Sequence, residues 1–397
     1  MKGLIKGFRE TYGLEKARYV KSPLRVCPLG AHVDHQYGNV TGITLDQSID
    51  MLYVTNEEGY IKVQSIDFPD EEYFNVNNIP SMLPLYWGNY IRGAVLSLQR
   101  NYKIKKGING VISGKIPIGG LSSSAAVTTA YLLALCDVNE IEITKEELIE
   151  HSHWVETSFI GLNNGILDQA ANILSMDNYL MFMDCKTNDY KMIPKNPKMS
   201  EFEVIIVYSG INKPLISTDY NNRVDECKIA ATLLQEISGQ SITPFKEVRL
   251  GNISREVYEN HKDQLPGRFK RRADHFFSEN ERVLKGVANW ALGDIEAFGK
   301  LMIESGESSV HQYECGCEEL ITIFNILKET EGVYGARFSG AGYRGCCIGL
   351  VNPEYKEQIE ARIREIYPVK HPAFRDAYQV HFCKTDDGAR VVGEIEL

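Results

Sequence analysis

The run Pro117-Ile118-Gly119-Gly120-Leu121-Ser122-Ser123-Ser124-Ala125-Ala126 joins a glycine turn and three serines to an apolar segment, which sets a tight loop directly ahead of a buried helix. Glycines let the backbone approach an anion closely, and the first turn of a helix offers unpaired N–H groups at the positive end of its dipole. The hydroxyls of Ser122, Ser123 and Ser124 add donors, and one could ligate Mg²⁺. Taken alone, the stretch supports a phosphate cradle and an ordinary serine N-cap about equally. No G-x-x-x-x-G-K-[ST] string occurs in the chain and Lys115 precedes the turn, so a nucleotide site here is of another type than a Walker A loop.

A chain of 397 residues is long for a single core, and two domains with a ligand cleft between them are the expectation. Its net charge of −10 provides no basic field to recruit nucleic acid or a membrane surface, which favours a small-molecule enzyme. The opening residues Met1 to Arg9 are charged throughout and lack the apolar core of a signal peptide, so a cytoplasmic location is expected. Ala130-Tyr131-Leu132-Leu133-Ala134-Leu135-Cys136 is too short to span a bilayer and reads as a buried helix. The nine cysteines show no regular framework and read as reduced core thiols. Cys315-Gly316-Cys317 as half a zinc site ranks well below that, because no matching pair exists.

Strand-like and helical runs alternate throughout, giving a mixed α/β or α+β chain without repeats. Gly107 to Ser113 alternates as a strand and feeds the serine helix. Thr144 with Glu147 forms a capping box that opens a helix carrying Trp154, Val155 and Glu156. A further helix after Asn163-Asn164-Gly165 holds Asp168 and Gln169, and Tyr179 to Met183 reads as a buried strand. The polar stretch Lys186 to Ser200 is the expected domain boundary, dividing the chain into 1–195 and 196–397. Beyond it, Val204 to Tyr208 is a strand and a helix runs from near Thr218 to Gly239. Phe338-Ser339-Gly340-Ala341-Gly342-Tyr343-Arg344-Gly345 is a strong turn into the strand Cys346 to Val351. Gly340 and Gly342 suit positive φ or close approach to a ligand, and a plain tight loop explains them as cheaply.

Arg25-Val26-Cys27-Pro28-Leu29-Gly30-Ala31-His32-Val33-Asp34-His35 packs a cation, two imidazoles and a carboxylate into a short span. Binding of sugar hydroxyls ranks first for this cluster, a structural turn second, and a zinc or manganese site third, because the spacing fits no helix face or finger. Asp168 interrupts the apolar context of Gly165-Ile166-Leu167 and Ala170-Ala171, which favours a site over a solvated surface group. Phosphoryl transfer needs an acceptor held in line, cations on the phosphates and often a carboxylate to take the hydroxyl proton. Arg25, Glu156, Asp168 and the serine loop could supply that set.

Three separated motifs, Arg25 to His35, Ile116 to Ala126 and Gly335 to Leu350, give the chain a resemblance to the GHMP-superfamily sugar kinases of the galactokinase type. The likeness continues in order through Trp87-Gly88-Asn89-Tyr90, Gly165-Ile166-Leu167-Asp168-Gln169, Asp219-Tyr220-Asn221-Asn222-Arg223 and Arg271-Arg272-Ala273-Asp274-His275, so it spans nearly the whole chain. It implies an α+β, two-lobed GHMP kinase fold, with a ribosomal protein S5-like N-terminal domain and a ferredoxin-like C-terminal domain. It also implies ATP, Mg²⁺ and a monosaccharide in the cleft, with phosphorylation of the anomeric hydroxyl. By the same resemblance Asp168 is the catalytic base and Arg25 its partner, and Glu156 and Ser124, or else Ser123, are the Mg²⁺ ligands. His32, Asp34 and Tyr220 correspond to sugar contacts, and Gly340 and Gly342 to a loop over the phosphates and sugar. Trp87, Gly119, Gly120, Leu121, Ser122, Ser123 and Ser124 fall in the ATP-binding segments.

The chain also departs from the galactokinase pattern. It has Ala31 where that family has Glu, Cys27 for Asn and His35 for the usual Tyr. In galactokinases the Glu accepts a hydrogen bond from the sugar 6-hydroxyl; with Ala31 that acceptor is gone, and so is a charge that would repel a carboxylate at C6. Two carboxylates ~4 Å apart repel by about 4 kcal/mol at an effective dielectric of ~20, close to a thousandfold in affinity. Arg344 replaces a glycine and could meet a uronate or ATP, a pair of readings weighed equally against an exposed arginine. The cradle Pro-Ile-Gly-Gly-Leu is one residue shorter than the usual Pro-x-Gly-x-Gly-Leu. Ala31 and Arg344, with the strings Cys-Pro-Leu-Gly-Ala-His and Arg-Phe-Ser-Gly-Ala-Gly-Tyr-Arg-Gly-Cys-Cys, are similar to the galacturonokinase branch, which implies D-galacturonate as substrate. Galactokinase or arabinokinase activity is the runner-up, and a non-catalytic sugar sensor the alternative of another class.

Overall fold

The computed structural model describes residues 1–114, 121, 123–162, 164–211 and 219–397. The chain opens with α1 (Lys2–Tyr12), whose Leu4 and Phe8, one turn apart, bury against Ala17, Tyr19, Leu52 and Val111. It stops at Gly13, whose left-handed conformation lets its N–H cap the Arg9 carbonyl. The strands β1 (Lys16–Val26), β2 (Asn39–Asn56), β3 (Tyr60–Ser65), β4 (Glu71–Asn75) and β5 (Gly107–Gly114) follow, with α2 (Asn89–Gln99) crossing over between β4 and β5. They are ordered β1-β2-β5-β3-β4, and only β3 and β5 run parallel. Next come α3 (Ser123–Val138), α4 (Lys145–Trp154), α5 (Leu167–Leu174), β6 (Tyr179–Asp184) and β7 (Tyr190–Pro194). The long β2 bridges both halves of this sheet, pairing with β5 along one stretch and with β6 at its start.

Thr144 accepts from the Glu147 amide while the Glu147 carboxylate accepts from the Thr144 amide, so α4 begins with the capping box that its sequence predicts. It then widens into a π-helical turn, Val155–Ile160, which carries Glu156. α3 is apolar on most faces and is buried between α2, α4 and the sheet, with Ala130, Leu132 and Leu135 inaccessible to solvent.

The second half builds β8 (Glu203–Tyr208), α6 (Tyr220–Ile237), α7 (Arg255–His261), α8 (Gly267–Leu292), α9 (Ile295–Ser308), α10 (Glu318–Lys328), β9 (Val333–Phe338), β10 (Cys346–Val351), α11 (Lys356–Lys370) and β11 (Gln379–Cys383). Its sheet is antiparallel, in the order β11-β8-β10-β9, and β10 is buried at every residue. The chain then returns: β12 (Arg390–Glu396) adds to β1 at the edge of the first sheet. A division at residue 195 therefore does not contain the first sheet whole, because its last strand comes from the chain's end. Within the expected linker, Tyr190–Pro194 is a strand rather than a connection, its pairing with β6 satisfying a polar-looking segment. The Thr218 start expected for the next helix lies outside the described residues, which enter α6 at Tyr220.

All nine cysteines are free thiols and all but Cys317 are buried. Among the described residues no cluster of His, Cys, Asp and Glu is arranged to hold a metal ion, and no helix is long and apolar enough to cross a membrane.

Candidate active site

The last residues of β1, the first turn of α5, the π-turn after α4, the start of α6 and the strand β9 converge on one cavity. Arg25 is 3% exposed, and its Nε donates to Asp168 Oδ1 at 2.8 Å while its Nη2 donates to the same oxygen. Asp168 sits in the first turn of α5, where the helix dipole favours a negative charge. Burial works against the Arg25 charge, but the Asp168 carboxylate outweighs it and the guanidinium titrates above its ordinary value. The pair is a charge-assisted contact on the wall of a cavity, with the carboxylate more accessible than the guanidinium.

Asp34 lies beside this pair. Burial, and then the neighbouring Asp168, push its carboxyl up to about 6, against the hydrogen bond from the His35 amide and the attraction of Arg25. Its Oδ2 would lie 2.3 Å from a Cβ built at residue 165, so Gly165 is the residue type that leaves room for this carboxylate. Tyr220, at the start of α6, lines the same cavity; burial and then Asp34 hold its phenol protonated, well above the ordinary value.

Glu156 is 1% exposed and its Oε2 accepts from Gln169 Nε2 at 2.8 Å and from Asn164 Nδ2. The Ser124 hydroxyl bonds the same carboxylate, whereas Oε1 is buried with no hydrogen-bond partner. Burial, then Asp168, raise the Glu156 carboxyl above its usual range. An unsatisfied buried carboxylate oxygen beside a hydroxyl is a hard-oxygen donor set of the kind Mg²⁺ takes alongside water and phosphate. These residues fit that ion.

The turn before Asp34 is gripped from behind by α8. Glu279 Oε1 accepts from the amides of Gly30 at 2.8 Å and Ala31 at 3.0 Å, and His275 Nε2 donates to the Ala31 carbonyl at 2.8 Å. With both backbone groups committed, residue 31 offers the cavity only its methyl. Glu279 also accepts from Ser305 Oγ and Arg282 Nε; burial opposes its charge, yet Arg282 brings it down to about 2. His32, in a left-handed conformation at φ 56°, stacks on Tyr313 at 4.2 Å, and its Nε2 is 3.4 Å from Cys315 Sγ. His35 turns away, bonding Tyr313 Oη at 3.2 Å and Gln36 at 3.0 Å. Burial lowers both imidazoles, His35 to about 3, so they are neutral hydrogen-bonding groups.

From the second half, Gly340 lines the cavity with φ 69°. Gly342, at φ 77°, packs on Cys315 instead, where a Cβ would come within 2.9 Å of its sulfur. Arg344 does not line the cavity: it is half-buried near Tyr90 and Tyr208, and burial lowers its guanidinium. Arg337 on β9, which is 2% exposed, lines the cavity alongside Arg25. Trp87 also stands outside the lining, its indole N–H given to the Pro69 carbonyl at 3.2 Å. Leu121 is fully buried and Ser123 begins α3, while the expected phosphate contacts Gly119, Gly120 and Ser122 lie outside the described residues. Arg337 lies within the Gly335 to Leu350 motif, though the sequence reading gave it no role, and Glu279 lies in no motif. His275 was flagged within Arg271 to His275, and Glu279 lies one helical turn beyond it, the spacing that could have found it.

Two family models match the chain: the GHMP kinases N terminal domain over residues 89–175 and the GHMP kinases C terminal domain over 287–369. Galacturonokinase of Arabidopsis thaliana is 41% identical over 401 residues, covering 95% of this chain and 94% of that one. Galactokinase of Roseiflexus sp. (strain RS-1) is 30% identical over 383 residues, covering 96% and 94%. The crystal structure of Lactococcus lactis galactokinase complexed with galactose superposes with a TM-score of 0.87 at 26% identity, over 97% of this chain and 98% of that one. The chain belongs to the GHMP kinases and, within them, to the galactokinase family of sugar kinases. The substrates of such an enzyme are a monosaccharide and ATP.

Proposed function

We propose that the protein phosphorylates D-galacturonate at its anomeric hydroxyl, using ATP, to give galacturonate 1-phosphate. Asp168 accepts the O1 proton as O1 bonds to the γ-phosphorus and the bond to the β-phosphate oxygen breaks, releasing ADP. Arg25, fixed against Asp168 at 2.8 Å, orients that carboxylate and brings positive charge to the transferring group. Asp34, His32 and Tyr220 hold ring hydroxyls, and Gly340 closes the wall over the sugar. Ser124 and Glu156 would hold Mg²⁺, which when bound neutralises charge on the phosphate oxygens.

One observation carries the choice of a uronate. Residue 31 is pinned by Glu279 and His275 so that it gives the cavity a methyl and no acceptor, which suits a sugar that brings its own carboxylate. The 41% identity to a galacturonokinase supports the same reading. Galactose is the second candidate, favoured by the likeness to a galactokinase complexed with that sugar. Coupling ADP release to a panel of galacturonate, glucuronate, galactose and arabinose tests this. Galacturonate is expected to give the highest kcat/KM, and a tenfold preference for galactose would overturn the reading.

A further inference from the structure

Two side-chain amides hold Glu156 by the same oxygen: Gln169 Nε2 donates to Oε2 at 2.8 Å, and Asn164 Nδ2 donates to Oε2 as well. An ionised carboxylate only accepts hydrogen bonds, so each amide turns its NH₂ end toward it and its carbonyl end away. Glu156 Oε1, Asn164 Oδ1 and Gln169 Oε1 are consequently all buried and without a hydrogen-bond partner. Gln169 is fully buried and Glu156 nearly so, whereas Asn164 lines the cavity. A buried acceptor left unmet is unfavourable, and these sit on side chains bonded to one another, a cluster rich in acceptors and short of donors.

Each amide reaches Glu156 from a different part of the chain and is itself anchored. Asn164 belongs to the loop that leaves the π-helical turn, where the Leu162 amide donates to the Glu156 carbonyl at 2.9 Å and His153 Nε2 donates to the Asn164 carbonyl at 3.2 Å. His153 stands near the end of α4, just before the π-turn, so the loop folds back onto the segment that carries the carboxylate. Gln169 follows Asp168 in the first turn of α5. One helical turn thus aims Asp168 at Arg25 and Gln169 at Glu156, which ties the position of the proton acceptor to that of the Glu156 carboxylate.

We propose that Asn164 and Gln169 are positioning residues for the divalent cation, their NH₂ groups locking Oε2 so that Oε1 is the oxygen presented to the ion. The proposal rests on the reading of Glu156 and Ser124 as Mg²⁺ ligands and is independent of which sugar is phosphorylated. Carboxylates that ligate metals are oriented by hydrogen bonds of this kind, and removing such a partner weakens metal binding by roughly 10–100-fold. Mg²⁺ keeps several waters when bound, and those waters are donors of the kind that the two amide oxygens lack.

Calorimetry of ADP binding with and without Mg²⁺ isolates the protein's hold on the ion, because the ratio of the two affinities cancels contacts made to the nucleotide alone. The ratio is measured for wild type, Gln169→Leu, Asn164→Ala and, as a reference, Glu156→Gln, with galacturonate and galactose titrated alongside. Both amide variants are expected to lose at least about tenfold of the wild-type ratio, while metal-free ADP and the sugar bind within about threefold of wild type. A role confined to packing α5 against the π-turn would weaken the sugar and both forms of ADP together, and that outcome overturns the proposal. Should Gln169→Leu fail to fold, Asn164→Ala, a change in the cavity wall, decides alone. A ratio unchanged in the amide variants but lowered in Glu156→Gln overturns the role of Asn164 and Gln169 and leaves the ligand reading intact. A wild-type ratio near unity, or one that Glu156→Gln does not lower, overturns that reading and the inference with it.

Discussion

Glu279 accepts the backbone amide of Ala31 at 3.0 Å across 248 residues of sequence, and so the side chain of a C-terminal helix sets the shape of a turn in the N-terminal half. Glu279 is fully buried and paired with Arg282, and breaking a buried pair costs roughly 3–5 kcal/mol because the surviving charge is stranded. Glu279→Gln is expected to lower unfolding free energy by about 3 kcal/mol in denaturant titrations and to raise the sugar KM more than it lowers kcat. A KM equal to that of wild type would separate this grip from sugar binding.

Asp168→Asn preserves the shape of the carboxylate and removes the proton acceptor. Transfer is expected to fall by roughly 10²–10⁴ in single-turnover assays, the usual worth of a positioned general base, while calorimetry still detects both substrates. Near-normal turnover would take Asp168 out of the base role.

Ala31→Glu would set a carboxylate at the position that now offers a methyl. Preference should swing from galacturonate toward galactose by up to about a thousandfold, from the ~4 kcal/mol repulsion of two carboxylates ~4 Å apart. Selectivity that does not move would show that residue 31 lies away from C6.

Glu156→Gln keeps the hydrogen bonds to Asn164 and Gln169 within reach but removes the charge that a divalent ion needs. The Mg²⁺ concentration for half-maximal rate should rise at least about tenfold with the sugar KM little changed. An unaltered Mg²⁺ titration would exclude Glu156 as a ligand.

Three imidazoles buried in and around the cavity wall tie stability to pH. His35 and His275 titrate at about 3 and about 4, and His32 also well below the ordinary 6.5, in each case chiefly through burial. Their folded values lie below the unfolded one, so the stability they confer is present above pH 6.5 and is lost as pH falls below it. Asp34 acts in the opposite sense: its value of about 6 stands above the ordinary 3.8, so its ionisation costs stability above pH 6 and that cost is relieved on acidification. The three imidazoles outnumber the two raised carboxyls of Asp34 and Glu156, so urea unfolding is expected to show stability falling as pH is lowered from 6 to 5. A flat profile there would show that the imidazoles are hydrated. Asp34→Asn should melt higher than wild type at pH 8 and lose that advantage by pH 4.

Much of this was legible before any coordinates. The Thr144 and Glu147 capping box, the strand from Gly107 and the helix of Asp168 depend on contacts within a few residues, so local pattern suffices to read them. The pairing of Arg25 with Asp168, the association of Glu156 with Ser124 and the choice of Ala31 as the informative departure came from the family resemblance. Arg344 was less well read. It stood out as an arginine in place of a glycine, but a loop residue can face either way, and it lies beside Tyr90 and Tyr208 rather than on the cavity wall.

The sequence alone determined the family and many of the local elements that carry the candidate groups, because those are written in residue type and short spacing. Only the tertiary structure decided that the return of β12 completes the first sheet, that Glu279 and His275 immobilise Ala31, and that Arg337 reaches the cavity wall. Each of these joins residues far apart in the chain, and the free energy of such a contact resides in burial and in pairing across elements, where no local pattern records it.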